Sequence, residues 1–166
     1  MLKELYINEF NYIVKDIIEN KEFLKTKEKT HHGITRYDHL KRVAFYTFII
    51  TKFLRLNYIE STRAALLHDF FLDETDNLST IKSLRKHPYY ALENSKKYFY
   101  LTPLQEDIIL THMFPVTLTP PKYLESIIVD LVDDIAGIYE KYKSSCKELK
   151  AATTFMFIFI VNFINK

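Results

Sequence analysis

The residues best able to do chemistry in this sequence are histidines and aspartates spread over separate segments. His39 opens one apolar-patterned segment, His68 and Asp69 stand side by side at the end of the next, and Asp130, Asp133 and Asp134 crowd a later one. His39, His68, Asp69 and one of the three late acids make a set of two imidazoles and two carboxylates. Such an N2O2 set suits Mn, Fe, Co, Ni, Zn or Mg. The single cysteine, Cys146, excludes a multi-thiolate zinc or iron–sulfur site within one chain.

Residues so far apart in sequence must be brought together by folded elements, and the composition supplies helices. Two glycines and five prolines, against 48% apolar residues, leave few turn-makers for a many-stranded sheet. The expectation is an all-α bundle of about six to seven helices. At 166 residues the chain reads as one domain, with an N-terminal helix and loop over 1–34, a core over 35–140 and an apolar C-terminal helix over 145–166.

Leu2, Leu5, Tyr6, Phe10, Ile13, Val14 and Ile17 recur at mostly three- and four-residue intervals and predict a first helix. Asn20 to His32 reads as a solvated polar run closed by Gly33, with His31-His32 an exposed loop pair. Leu40, Val43, Ala44, Thr47, Ile50 and Leu54 predict a second helix, about Tyr37 to Leu56, with His39 in its first turn. A third, Glu60 to Asp69, closes on His68 and Asp69. The loop after it, Phe70 to Asn77, carries Asp73, Glu74 and Asp76, best read as solvated acids.

Pro88 reads as a first-turn proline, which starts a fourth helix running to about Tyr98. Thr102-Pro103-Leu104-Gln105 has the form of a capping box and opens a fifth that ends near His112. After the proline-rich turn Phe114 to Lys122, Ile127, Ile128, Leu131, Val132, Ile135 and Ile138 form the expected buried face of a sixth helix. A final helix spans about Ser145 to Ile164.

His39-x-x-Arg42-Val43 on one helix, Leu66-Leu67-His68-Asp69 closing the next and an aspartate on a late apolar helix together resemble the HD-domain phosphohydrolase superfamily, over roughly Thr35 to Glu140. His87-Pro88 and His112-Met113-Phe114-Pro115 also resemble family positions. In dinuclear members such histidines hold a second metal, and the aspartate of the His-Asp pair bridges both ions. The resemblance therefore implies His39, His68, Asp69 and Asp133 around one metal, and His87, His112 and Asp69 around another. Asp133 is preferred because Leu131-Val132-Asp133 resembles the family's ending, with Glu140 one helical stretch later. Asp130 is the runner-up, and Asp130 or Asp134 would otherwise hydrogen-bond the ligands. One departure is Leu72, where many members have lysine three residues after the HD aspartate.

The resemblance implies a metal-dependent phosphohydrolase with one or two divalent ions per chain, cleaving a phosphoester or phosphoanhydride in a small nucleotide-like substrate. A divalent ion lowers the pKa of bound water and neutralises charge on a phosphoryl oxygen, so no serine or cysteine nucleophile is needed. Arg36 and Arg42, three residues before and after His39, flank it on a helix and are placed to hold a phosphate. Two other readings stay open: a di-iron oxygenase, as in some dinuclear members, and a non-catalytic metal- or nucleotide-binding regulatory module.

A net charge of +2 gives no nucleic-acid footprint. The N-terminal MLKELYINEF is neither a secretory signal nor a transit peptide, and cytoplasm is the expected compartment. Ala151 to Ile164 falls short of the roughly 20 residues a membrane span requires, so no span is expected. A homodimer through this C-terminal helix is the reading that goes with it.

Overall fold

The computed structural model describes residues 2–31, 34–72 and 79–164, with side chains at 4–30, 34–72 and 79–146. Among these residues seven α-helices follow in order: α1 (Leu2–Ile18), α2 (Lys21–Leu24), α3 (Arg36–Phe53), α4 (Tyr58–Leu67), α5 (Thr80–Tyr98), α6 (Pro103–Thr111) and α7 (Leu124–Ile164). A 3-10 turn, Lys25–Glu28, and an antiparallel pair of two-residue strands, β1 (Thr30–His31) and β2 (Ile34–Thr35), lie between α2 and α3. The architecture is the all-α one expected.

Local sequence chemistry starts the helices that matter for the site. The Thr35 hydroxyl accepts from the Asp38 amide at 3.1 Å and so caps α3 three residues before His39. The Asn57 side chain does the same for α4 through the Glu60 amide. Thr102 and Gln105 form the reciprocal capping box at α6. α3 stops in a left-handed turn at Arg55, φ 57°, where the Leu56 amide reaches back to the Thr51 carbonyl at 2.9 Å.

α3 and α4 pack together at the centre, α1 covers α4, and α7 lies across α3 and α6. Val14, Ile17, Leu40, Val43, Phe48, Leu66, Ile108, Ile109 and Val129 are fully buried between them. Phe70, next to Asp69, is held by the Phe23 and Phe99 rings at centroid distances of 5.5 and 6.3 Å. The end of α4 is thereby anchored on both sides.

Four expectations are corrected. The run from Asn20 is not merely solvated: Phe23 and Thr26 are fully buried, and burying a phenylalanine contributes about 2–3 kcal/mol, enough to dock a charged segment. The fourth helix begins at Thr80, not Pro88, which lies inside α5. Its missing N–H forfeits one backbone bond, but the helix-forming residues before it and its own burial hold the helix together.

The sixth and final helices are one, α7, because nothing between Glu140 and Ser145 breaks a helix. Of its expected buried face, Ile128 and Val132 are buried, whereas Ile127, Leu131, Ile135 and Ile138 are 42–71% exposed. Apolar periodicity marks a face without saying what covers it. The C-terminal dimer surface expected beyond residue 146 falls on side chains outside the described residues, as do His32 and the acids Asp73, Glu74 and Asp76. Among the described residues no helix is long and apolar enough to cross a membrane.

Candidate metal centre

His68 and His112 occupy matching places, each the C-cap residue of its helix, α4 and α6. The last carbonyls of a helix have no partner within it. At each end the ring Nδ1 takes one of them: Ala65 at 2.7 Å for His68 and Ile109 at 2.8 Å for His112. A carbonyl only accepts, so Nδ1 carries the proton in both rings and Nε2 is turned inward with its lone pair. His87, inside α5, repeats the arrangement with the Ser83 carbonyl at 3.1 Å. His39 uses a carboxylate instead, its Nδ1 donating to Glu140 at 3.0 Å, and the other Glu140 oxygen accepts from Arg42.

The four inward Nε2 atoms meet two aspartates. Asp133 Oδ1 lies 2.9 Å from His39 Nε2 and 3.3 Å from His68 Nε2. Asp69 Oδ1 lies 3.2 Å from His87 Nε2 and 3.4 Å from His112 Nε2, and those two nitrogens are 2.9 Å apart. Ligand atoms of His39, His68 and Asp69, of His68, His112 and Asp133, and of Asp69, His87 and His112 lie within 4.8 Å of one another in each group.

These atoms fit a metal better than they fit each other. In the neutral rings that bind a metal every Nδ1 proton is already given away and the facing Nε2 atoms are lone pairs, and His68 Nε2 and Asp69 Oδ1 are buried with no hydrogen bond. An ion with bonds of about 2.0–2.2 Å to nitrogen and oxygen separates neighbouring ligand atoms by about 2.8–3.1 Å in octahedral and about 3.3–3.6 Å in tetrahedral geometry, a range that covers the spacings found. A ring N–H held by a carbonyl or carboxylate is also the usual way a metal-binding histidine is oriented.

Without metal, protons take the cation's place. Burial opposes charge on His39, but the hydrogen bonds to Asp133 and Glu140 outweigh it and lift its pKa to about 10. Burial works the same way against His112, and the Asp69 carboxylate beside it still holds the pKa above the ordinary value. His87 falls to about 4, through burial and the neighbouring His112 charge, although Asp69 pulls the other way. Asp69 and Asp133 are held well below the usual carboxylate range despite burial, by the histidines around each.

All six residues expected as ligands, His39, His68, Asp69, His87, His112 and Asp133, thus converge. Asp130 and Asp134 enter none of the groups among the described residues. Asp130 stands beside them with its pKa raised to about 7 by burial and by the charges of Asp134 and Asp133. Arg36 extends to the Phe71 and Leu72 carbonyls and lies 3.8 Å over the Phe71 ring, which stacks on His87. Arg42 is committed to Glu140.

Glu140 and Phe71 are the residues that sequence reasoning left out of the site. Glu140 carried a signal: Val129, Asp133, Ala136 and Glu140 share one helix face, and Glu140 is 2% exposed. An acid at core spacing needs a buried partner. Phe71 carried none, since one more apolar residue after the His-Asp pair reads as plain core.

A model of the HD domain matches residues 36–138, well over half of the chain. The chain belongs to the HD domain family, and with it to a superfamily of metal-dependent hydrolases. No curated protein and no solved structure matches it.

Proposed function

We propose that this chain is a metal-dependent phosphohydrolase that cleaves a phosphoester or phosphoanhydride in a small, nucleotide-like substrate. The observation that carries the reading is the convergence of four buried histidine Nε2 atoms on Asp69 and Asp133 at 2.9–3.4 Å, with every Nδ1 held from behind by a carbonyl or carboxylate. His39, His68, Asp69 and Asp133 would hold one divalent ion, and His87, His112 and Asp69 a second. Once bound, such ions supply a more acidic water and a counter-charge for a phosphoryl oxygen.

The chain's own residues do the rest. The carbonyls of Ala65, Ser83 and Ile109 and the Glu140 carboxylate keep each ring's Nδ1 proton in place, so the Nε2 lone pairs stay aimed inward. Burial of His68 and His112 keeps bulk water from competing at that end of the site. Arg36 brings a guanidinium to the loop at Leu72, where the family resemblance would have placed a lysine, and in this reading it faces the substrate phosphate. Arg42 serves as the counter-charge of Glu140 and acts through His39.

The test is metal analysis of protein purified without chelator, together with hydrolysis of a generic phosphomonoester and a nucleotide panel, on wild type, Asp69→Ala and His112→Ala. Two ions in wild type, fewer in both variants and parallel loss of hydrolysis are expected. Activity with Zn2+ or Mg2+, which have no redox chemistry, counts against an oxygenase. A wild-type protein that takes up no metal after reconstitution overturns the reading and leaves a helical binding module.

A further inference from the structure

Helix α7 carries two apolar faces. One is buried in the fold through Ile128, Val129, Val132 and Ala136. The other faces solvent: Leu124, Ile127, Leu131, Ile135, Ile138 and Tyr142 are 42–71% exposed, at intervals of three and four that stack them into one stripe. Beside it α3 leaves Tyr46, Ile50 and Phe53 37–83% exposed. Between the two helices lies an apolar cavity of about 290 Å³ bordered by Tyr46, Ile50, Ile135 and Tyr139.

Aromatic side chains bury roughly 150–250 Å² when fully covered, and with Leu and Ile taken near the lower part of that range the uncovered part of these nine comes to about 1,000 Å². The largest apolar patch on a monomer is about 300–600 Å². A stable interface takes about 800 Å² from each partner. The face is thus of a size that association requires.

We propose that this face pairs with the same face of a second copy of the chain, α7 running antiparallel to α7 about a two-fold axis. A two-fold sets one surface against itself, and an apolar stripe with a groove beside it is complementary to its own image. The flanking charges select the direction. Asp134 and Lys141 are exposed and one heptad apart, on the same edge of the stripe. With the axis passing between Gly137 and Ile138, antiparallel pairing sets this edge of each helix against itself and brings Asp134 of each copy to Lys141 of the other, whereas parallel pairing turns the edge toward the opposite edge of the partner helix and forms no such pair. α7 stays helical through Ile164, so its own C-terminal half continues along the axis and does not fold back over the stripe. The proposal stands apart from the metal chemistry, since its readout is mass.

The experiment is sedimentation velocity on the full chain over a concentration series, with light scattering for mass. Wild type is expected at twice the 19.8 kDa chain mass from micromolar concentrations upward. Leu131→Glu combined with Ile138→Glu is expected to give a monomer with the helical circular-dichroism spectrum of wild type, because both side chains face water in the single chain, and with a melting temperature lowered only by the loss of the dimer's contribution. Asp134→Lys alone is expected to weaken the dimer about tenfold, through two like-charge contacts per dimer. Asp134→Lys combined with Lys141→Asp is expected to restore it. A wild type that stays monomeric overturns the proposal, as does a dimer indifferent to Leu131 and Ile138, or the absence of rescue in the double reversal. A monomer that floats with anionic phosphatidylserine vesicles assigns the stripe to a membrane surface and equally overturns it.

Discussion

Replacing Glu140 with glutamine asks whether the metal centre is held from behind His39. Glu140 is 2% exposed, and its two oxygens accept from His39 Nδ1 and from Arg42. Glutamine fills almost the same space but has only one acceptor oxygen, so one of the two donors must face its NH2 group. Loss of a hydrogen-bond partner behind a metal-binding imidazole costs about 10–100-fold in metal affinity, or about 1.4–2.7 kcal/mol. Breaking a buried ion pair from one side costs about 3–5 kcal/mol of stability. The Arg42 side chain is 26% exposed and can turn toward water, which reduces the expected loss in the metal-free protein to about 1–2 kcal/mol. Zn2+ titration against a chromophoric chelator measures the affinity, and urea denaturation of the metal-free protein measures the stability. Arg42→Met separates the two effects, since it removes the counter-charge and leaves the His39–Glu140 bond, so its affinity loss should be smaller. A Glu140→Gln protein that loses stability but binds Zn2+ within about twofold of wild type would show that Glu140 only braces the fold.

Metal binding should depend on pH with a fixed sign. His39 holds its proton with a pKa of about 10 when no metal is present, against about 6.5 in the unfolded chain, so its contribution to metal-free stability is fully present below about pH 6.5 and fades as pH rises through about 10. That proton must leave for an ion to bind, so affinity should fall as pH is lowered and binding at neutral pH should release protons. Calorimetry in buffers of different ionisation enthalpy counts them, and zero release would contradict the ligand assignment. Thr102→Ala removes the α6 cap and the hydroxyl bond to Glu60, with an expected loss of about 1–2 kcal/mol in urea denaturation. No measurable change would mean that α6 is held by packing alone.

Much of this protein was legible in its sequence. The scarcity of glycine and proline, the capping box at Thr102 and the three-and-four spacing of apolar residues foretold helices, because these features act within a few residues of where they stand. The chemical type and order of the histidines and aspartates pointed to divalent-metal chemistry for the same reason: ligand preference belongs to the side chain. Tertiary structure decided what depends on neighbours far along the chain. It left Ile127, Leu131, Ile135 and Ile138 in water although their spacing matched that of buried Val132, since periodicity records a face and not its cover. It kept Pro88 inside α5 and docked Phe23 from within a charged run, because packing outweighs local propensity. It joined Glu140 to His39 across 101 positions of sequence and turned each Nδ1 onto an acceptor. Sequence thus determined which atoms were available to bind a metal, while only the fold, by giving every Nδ1 proton a partner, determined which lone pairs were left facing one another.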